Sequence, residues 1–252
     1  MRLTDVDCNE ILHPMARLSS SPPQAAVRTA AAEQLKQAAL RLFSEKGVDG
    51  VTVREIAAAA GQKNHGAVGY YFGSKEALVR EAIMDGAVAL ERLRNEALDA
   101  LEARGGPQSL RDVVDILILP ATALEDEFYI SFITLFGMTH RDLMLNAIDP
   151  AWNRAYGRCL GHLRSLLPDL SPSVQNQRFV FMGAYLSAVL AARARALADH
   201  SREHPMWDGA HGLEHFAQTV VALLEAPLDL PAAAVAEISR QPTPANRLGP
   251  VG

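Results

Sequence analysis

An all-α fold is what this 252-residue sequence predicts: a three-helix head containing a helix-turn-helix, then a larger helical body. Three observations point there. Aromatic residues make up only 6% of the chain, alanine and leucine are abundant and β-branched runs are brief, which favours helix over strand. Apolar residues recur at three- and four-residue spacing through most segments, the period of one helical face. The stretch TVREIAAAAGQKNHGAVGYYFGSK, residues 52–75, reads as two short helical phrases parted by a glycine-led turn, with a fresh helix start behind them.

The elements follow in order. Residues 1–24 end in SSSPPQ and read as a flexible arm, on which Ile11, Leu12 and Met15 offer a surface for docking. The head is expected over residues 25–73. Its first helix should run from near Ala26 to Glu45, with Leu35, Ala38, Ala39, Leu42 and Phe43 as the packing stripe and Gly47 as its stop. Thr52 can cap the second helix while Glu55, three residues on, reaches back to it. Ile56, Ala59 and Ala60 give that helix a small apolar face, and Gly61 ends it. Asn64 is the expected cap of a third helix from about His65 to Phe72. Along it Ala67, Val68, Tyr71 and Phe72 supply packing, and His65, Gly66, Gly69 and Tyr70 face outward. Two short helices joined by a tight turn are what a helix-turn-helix needs to lay its second helix in the major groove. Side chains at Gly66 and Gly69 would hold that helix away from DNA. Ser74 should cap a long fourth helix, and Lys75 at its start can meet a phosphate. An ordinary helical hairpin with an alanine-rich seam gives the same pattern.

The runs AALRLFSEKGVDGVTVREIAAAAG and AVGYYFGSKEALVREAI resemble the amino-terminal domain of the TetR family of transcriptional regulators, over about the first third of the chain. The resemblance implies a homodimeric, all-helical repressor whose fourth helix links the head to a variable ligand-binding and dimerisation body. It implies that Thr52 and Lys75 lie on phosphates and that Asn64 to Tyr70 face operator DNA. The DNA-binding set is thus Thr52, Lys63, Asn64, His65, Gly66, Gly69, Tyr70 and Lys75. Two departures stand out. The stretch from Gly61 to Phe72 is one residue longer than the family spacing, so either the turn at Gln62 and Lys63 bulges or the recognition helix begins later. Gly69 sits where the family often carries a tyrosine or another side chain able to reach DNA.

The net charge of -5 argues superficially against a nucleic-acid partner. Its distribution answers the objection. Residues 26–80 carry a net +3, which leaves -8 on the remainder: a mildly basic head on an acidic body. Arg17 and Arg28 are further candidates for phosphate or minor-groove contact. Cys8 and Cys159 are too few and too far apart for a disulfide framework or a cysteine-rich metal site. Asp5, Asp7 and Glu10 precede any hydrophobic stretch, unlike a secretory leader, and no continuous apolar run is expected to span a bilayer. The expectation is a cytoplasmic protein with no membrane partner.

The body is expected over residues 74–230. The fourth helix should extend from Lys75 toward Arg104, keeping Leu78, Val79, Ile83, Ala87, Leu90, Leu93, Ala97 and Leu101 near one side. Such a rod can carry a rotation of the body into a displacement of the head, though a purely structural rod has the same pattern. GGPQS at 105–109 interrupts it, and Pro120 should kink or end the next helix. Phe128, Phe132, Phe136 and Met138 then mark an aromatic-rich helix, as ligand wall or as dense core. Helices should follow over about 151–167, after Ser171-Pro172, and over about 211–225. Small residues in the Ser171-Pro172 helix allow close approach by another helix. The last two helices either form a four-helix interface between two copies or close the monomer core. Residues 231–252, rich in proline and alanine, read as a C-terminal tail.

His200, His204, His211 and His215 invite a metal site, but an i,i+4 histidine pair without HExxH carries little, and none is expected. Nor is there a G-x-S-x-G elbow, P-loop or dinucleotide loop, so neither catalytic residues nor a cofactor are expected. The expected function is a repressor acting as a homodimer on a palindromic double-stranded operator and relieved by a small hydrophobic effector. The ligand candidates are Phe128, Phe132, Phe136, His140, Trp152, Arg178, Phe181 and Tyr185. The alternatives are an activator of the same fold, and a helical enzyme or scaffold that does not bind DNA.

Overall fold

The computed structural model describes residues 30–140, 143–144, 153–207 and 209–228. The arm 1–24 with Cys8 and Arg17, together with Arg28, Trp152 and the tail 231–252, lies outside the described residues. Among the described residues the chain is all-α, without strand. Its helices are α1 (Ala30–Lys46), α2 (Val53–Ala59), α3 (Ala67–Phe72), α4 (Lys75–Glu102), α5 (Leu110–Thr122), α6 (Tyr129–Thr139), α7 (Arg154–Leu166), α8 (Pro172–Ala198) and α9 (Ala210–Glu225).

The head forms for the reasons its residues suggest. Leu35, Ala39 and Phe43 of α1 are buried together with Ile56 and Ala57 of α2 and Ala67 and Val68 of α3. At the start of α2 the reciprocal cap is complete: the Glu55 N–H donates to Thr52 Oγ1 at 3.2 Å, and the Thr52 N–H donates to Glu55 Oε2 at 2.8 Å. Lys46 at the end of α1 reaches Glu55 Oε1 at 3.1 Å and ties the two helices. These bonds hold the Glu55 carboxyl down, from its ordinary 4.5 to about 2, the backbone bond from Thr52 contributing most. Gly61 closes α2 at φ 68°, a backbone a side chain would strain.

Three expectations are corrected. Asn64 does not cap α3, which begins at Ala67 rather than His65. Asn64 Oδ1 instead accepts the Gly66 N–H at 2.8 Å, folding a small turn ahead of the helix, so the extra residue is absorbed by a late helix start. Pro120 does not end α5. The helix runs through it to Thr122, because proline forfeits one N–H and the neighbouring bonds, such as Ala123 N–H to Leu119 O at 3.1 Å, persist. Finally, α8 is long and apolar enough to cross a membrane by length and composition. Its apolarity is spread among Gly, Ala and Ser rather than gathered in one run, and most of its apolar stretch is not buried among the described residues.

α4 is the spine, capped by Ser74, whose Oγ accepts the Ala77 N–H at 3.1 Å. α5 and α7 pack against it, α6 lies between α1 and α8, and α9 closes over α5 and α8. Ser109 and Asp112 make a second reciprocal cap, at the start of α5. Polar ties bind the helices: buried Lys36 of α1 to Asp85 of α4, Arg111 of α5 to Glu214 of α9 at 2.6 Å, and Arg158 of α7 to Asp99 and Glu102 of α4, each at 2.6 Å. The apolar core is continuous from head to body, through Phe43 of α1 and Phe132 of α6, whose ring centroids lie 5.8 Å apart. Beside them Tyr129 lies flat against α4 at Gly86, where a Cβ would stand 2.0 Å from the ring, and its hydroxyl donates to Ile83 O at 3.2 Å.

Gly86→Ala therefore has to expel the Tyr129 ring, and a cost of about 1–3 kcal/mol is expected from overpacking. Urea unfolding measures it; an unchanged midpoint refutes the close approach. Glu55 carries a second expectation. Its carboxyl titrates lower in the folded head than in the unfolded chain, so its contribution is complete above about pH 4.5 and is lost as the pH falls toward about 2. Thermal melts over that range should show a smaller acid-induced fall in Tm for Glu55→Gln than for the parent chain, and parallel curves would disprove the cap's role.

Candidate functional site

The outer face of the head presents the segment between α2 and α4. Lys63, Asn64, His65, Gly66, Gly69 and Tyr70 are all exposed, while Ala67 and Val68, on the opposite side of α3, are buried. Tyr70 is 81% exposed, and its ring stands edge-on to Tyr71 with centroids 4.8 Å apart. Tyr71 is half-buried, so it anchors the exposed ring from beneath. A Cβ at Gly69 would meet nothing within 4 Å. Packing inside the chain therefore does not require glycine there; what the missing side chain provides is a flat outer surface. Thr52 and Lys75 flank this face, both engaged locally. The Thr52 hydroxyl lies 2.9 Å from Glu55 Oε2, and Lys75 Nζ donates to Val51 O at 2.6 Å. The eight residues expected to face DNA thus gather on one end of the molecule, six as open surface and two as braces of the turn before α2.

The residues read as ligand wall disperse instead. Phe132 and Phe136 are core, 1% and 4% exposed, because α6 turns them toward α1. Phe128 packs on the edge of that core. The Arg178 guanidinium donates to the Leu224 and Ala226 carbonyls and so closes the C-terminal end of α9. Phe181 is 59% exposed on α8, and the Tyr185 hydroxyl lies 2.9 Å from Thr219 Oγ1 of α9. His140 stacks on Phe136, centroids 4.9 Å apart, with Nε2 3.2 Å from Asp49 Oδ2 of the head. His140 and Phe136 share a seam of about 360 Å³ with Val48, Lys75 and Val79, at the joint between head and body.

A different cavity, about 300 Å³, lies inside the body among α4, α5, α6, α7 and α8. Leu117, Ile130, Ile133, Leu186 and Leu190 make its apolar wall, and Glu91, Arg94 and Tyr156 its polar end. The Arg94 guanidinium carbon sits 5.8 Å from the centre of the Tyr156 ring. Burial pulls the Arg94 pKa below its ordinary value. Glu91 Oε1 accepts the Ala155 N–H at 2.9 Å, at the start of α7, and the Asn95 amide at 2.9 Å. Sequence reasoning missed this pair. The available signal was helical register: Glu91 and Arg94 fall on the same stripe of α4 as Ala87 and Leu98, both buried, where a charge is out of place. Among the described residues no group of three histidine, cysteine or acidic side chains is placed to hold a metal ion.

Residues 35–82, which span α1 to the first turns of α4, match the family described as bacterial regulatory proteins, tetR family. Comparison with curated proteins gave no match. Among solved structures, a bacterial regulatory protein of the tetR family from Rhodococcus RHA1 aligns over 79% of this chain and 97% of its own, at 16% identity and a TM-score of 0.52. NalD of Pseudomonas aeruginosa, a secondary repressor of the MexAB-OprM multidrug efflux pump, aligns over 75% and 96%, at 23% identity and a TM-score of 0.44. PfmR, a TetR family transcriptional regulator from Thermus thermophilus, aligns over 78% and 99%, at 20% identity and a TM-score of 0.42. At such identities the Rhodococcus likeness is one of fold. Residues 35–82 thus carry the helix-turn-helix domain described for the tetR family, and the all-helical body behind them shares its fold with the Rhodococcus regulatory protein.

Proposed function

We propose that the protein is a cytoplasmic, non-enzymatic transcriptional repressor that acts as a homodimer on a palindromic operator and is released from it by a small effector held in the body. The observation that carries this reading is the outer face of α3, where Gly66, Gly69 and Tyr70 are exposed while Ala67 and Val68 anchor the helix from behind. A helix so presented can lie close to base edges, with Tyr70 reaching along the groove and Lys63 at its mouth. Charge supports it, since the basic head and the acidic body orient the molecule toward a polyanion.

Dimerisation is supported by α8. Val180 and Phe181 are 48% and 59% exposed, and with the exposed Ala184 and Ala188 they form an apolar, small-residue face that the other described residues leave uncovered. Two copies packed through this face and α9 would bury it and set two recognition helices on one duplex, multiplying the affinity of a single weak head. Effector control is supported by α4, which carries the Ser74 cap at the head and lines the body cavity with Glu91 and Arg94. An effector that fits the cavity better in one setting of α4 shifts the heads toward that setting, and only to the extent of that preference.

Selection of bound fragments from the source genome, then titration of the recovered duplex across a salt series, tests the reading. Sequence-dependent binding by two or four chains is expected, and failure to retain any fragment at low salt refutes it. Lys63→Ala should weaken binding to all duplexes alike and lower the salt-dependence slope by about 1 for each phosphate it no longer neutralises. Phe181→Glu should yield monomers in sedimentation and cost operator affinity at least tenfold, and a dimer that persists would exclude the α8 interface.

A further inference from the structure

We propose that the body cavity takes a neutral molecule with an amide-like head and a short apolar tail, and that Arg94 anchors its carbonyl oxygen. The proposal rests on the reading of that cavity as the effector site. Arg94 Nε is closed off from water, and no acceptor meets it among the described residues. A buried donor in that condition is costly, and an acceptor brought by a ligand removes the cost. Glu91 is 7% exposed and its Oε1 is committed to Ala155 and Asn95, yet among the described residues its Oε2 meets no donor.

Charge decides between acid, base and neutral head. Among the described residues of the wall, Glu91 and Arg94 are the charged side chains, one of each sign. An entering carboxylate is attracted by Arg94 and repelled by Glu91, and an ammonium meets the reverse. In both cases the loss of hydration goes uncompensated. An amide offers a carbonyl oxygen to the arginine and an N–H to the glutamate in one uncharged group. Size sets the tail: about 300 Å³ holds about ten non-hydrogen atoms, taking about 30 Å³ for each water-sized volume. Leu117, Ile130, Ile133, Leu186 and Leu190 give the tail an apolar sleeve.

Octanamide, octanoate and octylamine, each of about that size, test the inference by calorimetric titration of the full chain at pH 7. Octanamide should bind at least tenfold tighter than either ion. Arg94→Met should cost it tenfold or more, as loss of a hydrogen bond to a charged group implies. The same variant should melt at an equal or higher temperature than the parent, since it removes the shielded Nε donor that no acceptor meets among the described residues. Octanoate or octylamine binding as tightly as octanamide overturns the proposal, and so does undiminished octanamide binding by Arg94→Met. Xenon separates this failure from failure of the cavity reading. A protein-dependent ¹²⁹Xe shift, abolished by Gly183→Leu in a variant that still melts cooperatively, keeps the cavity while the amide preference is judged on its own. If neither xenon nor any of the three probes binds, the cavity reading itself is wrong.

Discussion

The packing of Phe43 on Phe132 is the contact on which this molecule turns. α2 and α3 have seven and six residues, far too short to persist in water alone, and they depend on the apolar side of α1. α1 in turn rests on α6 of the body through those two rings, both fully buried. Burial of one such ring is worth about 1.5–3 kcal/mol, a sizeable part of the stability of an ordinary domain. The head is therefore part of one core with the body. Its orientation is set by whatever sets α6 and α4.

That continuity gives physical content to the regulation proposed for this fold. α4 is a single helix of 28 residues with one end capped beside the exposed outer face of the head and its middle lining the cavity. Lys36 joins it to α1, and Tyr129 presses on it at Gly86 from α6. A packed core of this kind does not deform smoothly; it moves between discrete arrangements. A ligand that shifts Arg94 or Tyr129 thus acts on elements that reach the head directly. The charged pair on the apolar stripe of α4 is the local departure from good core composition, and such departures gather where a fold gives up stability for function.

Much of the head was legible in the residues. Thr52 with Glu55, the stops at Gly47 and Gly61, and the buried and exposed sides of α3 depend on neighbours within a few positions, so local rules recover them. The helix start at Ala67 was not, because an asparagine serves a helix cap and a turn equally well, and Asn64 takes the Gly66 N–H in a turn. In the body the aromatics misled. Phe132 and Phe136 have the chemistry of a ligand wall, and Arg178 that of an anchor, but their surroundings come from α1 and α9, distant in sequence.

By itself, then, the sequence determined the all-helical class, the caps and stops of the head, and the side of α3 that faces out, because each follows from contacts along one helix or across one turn. Only the tertiary structure decided which side chains enclose the cavity, that the head and body share one core, and that α8 keeps an apolar face uncovered by the other described residues. Those depend on which helix faces which, and helices with similar apolar stripes can pack in many pairings that the pattern along the chain does not tell apart.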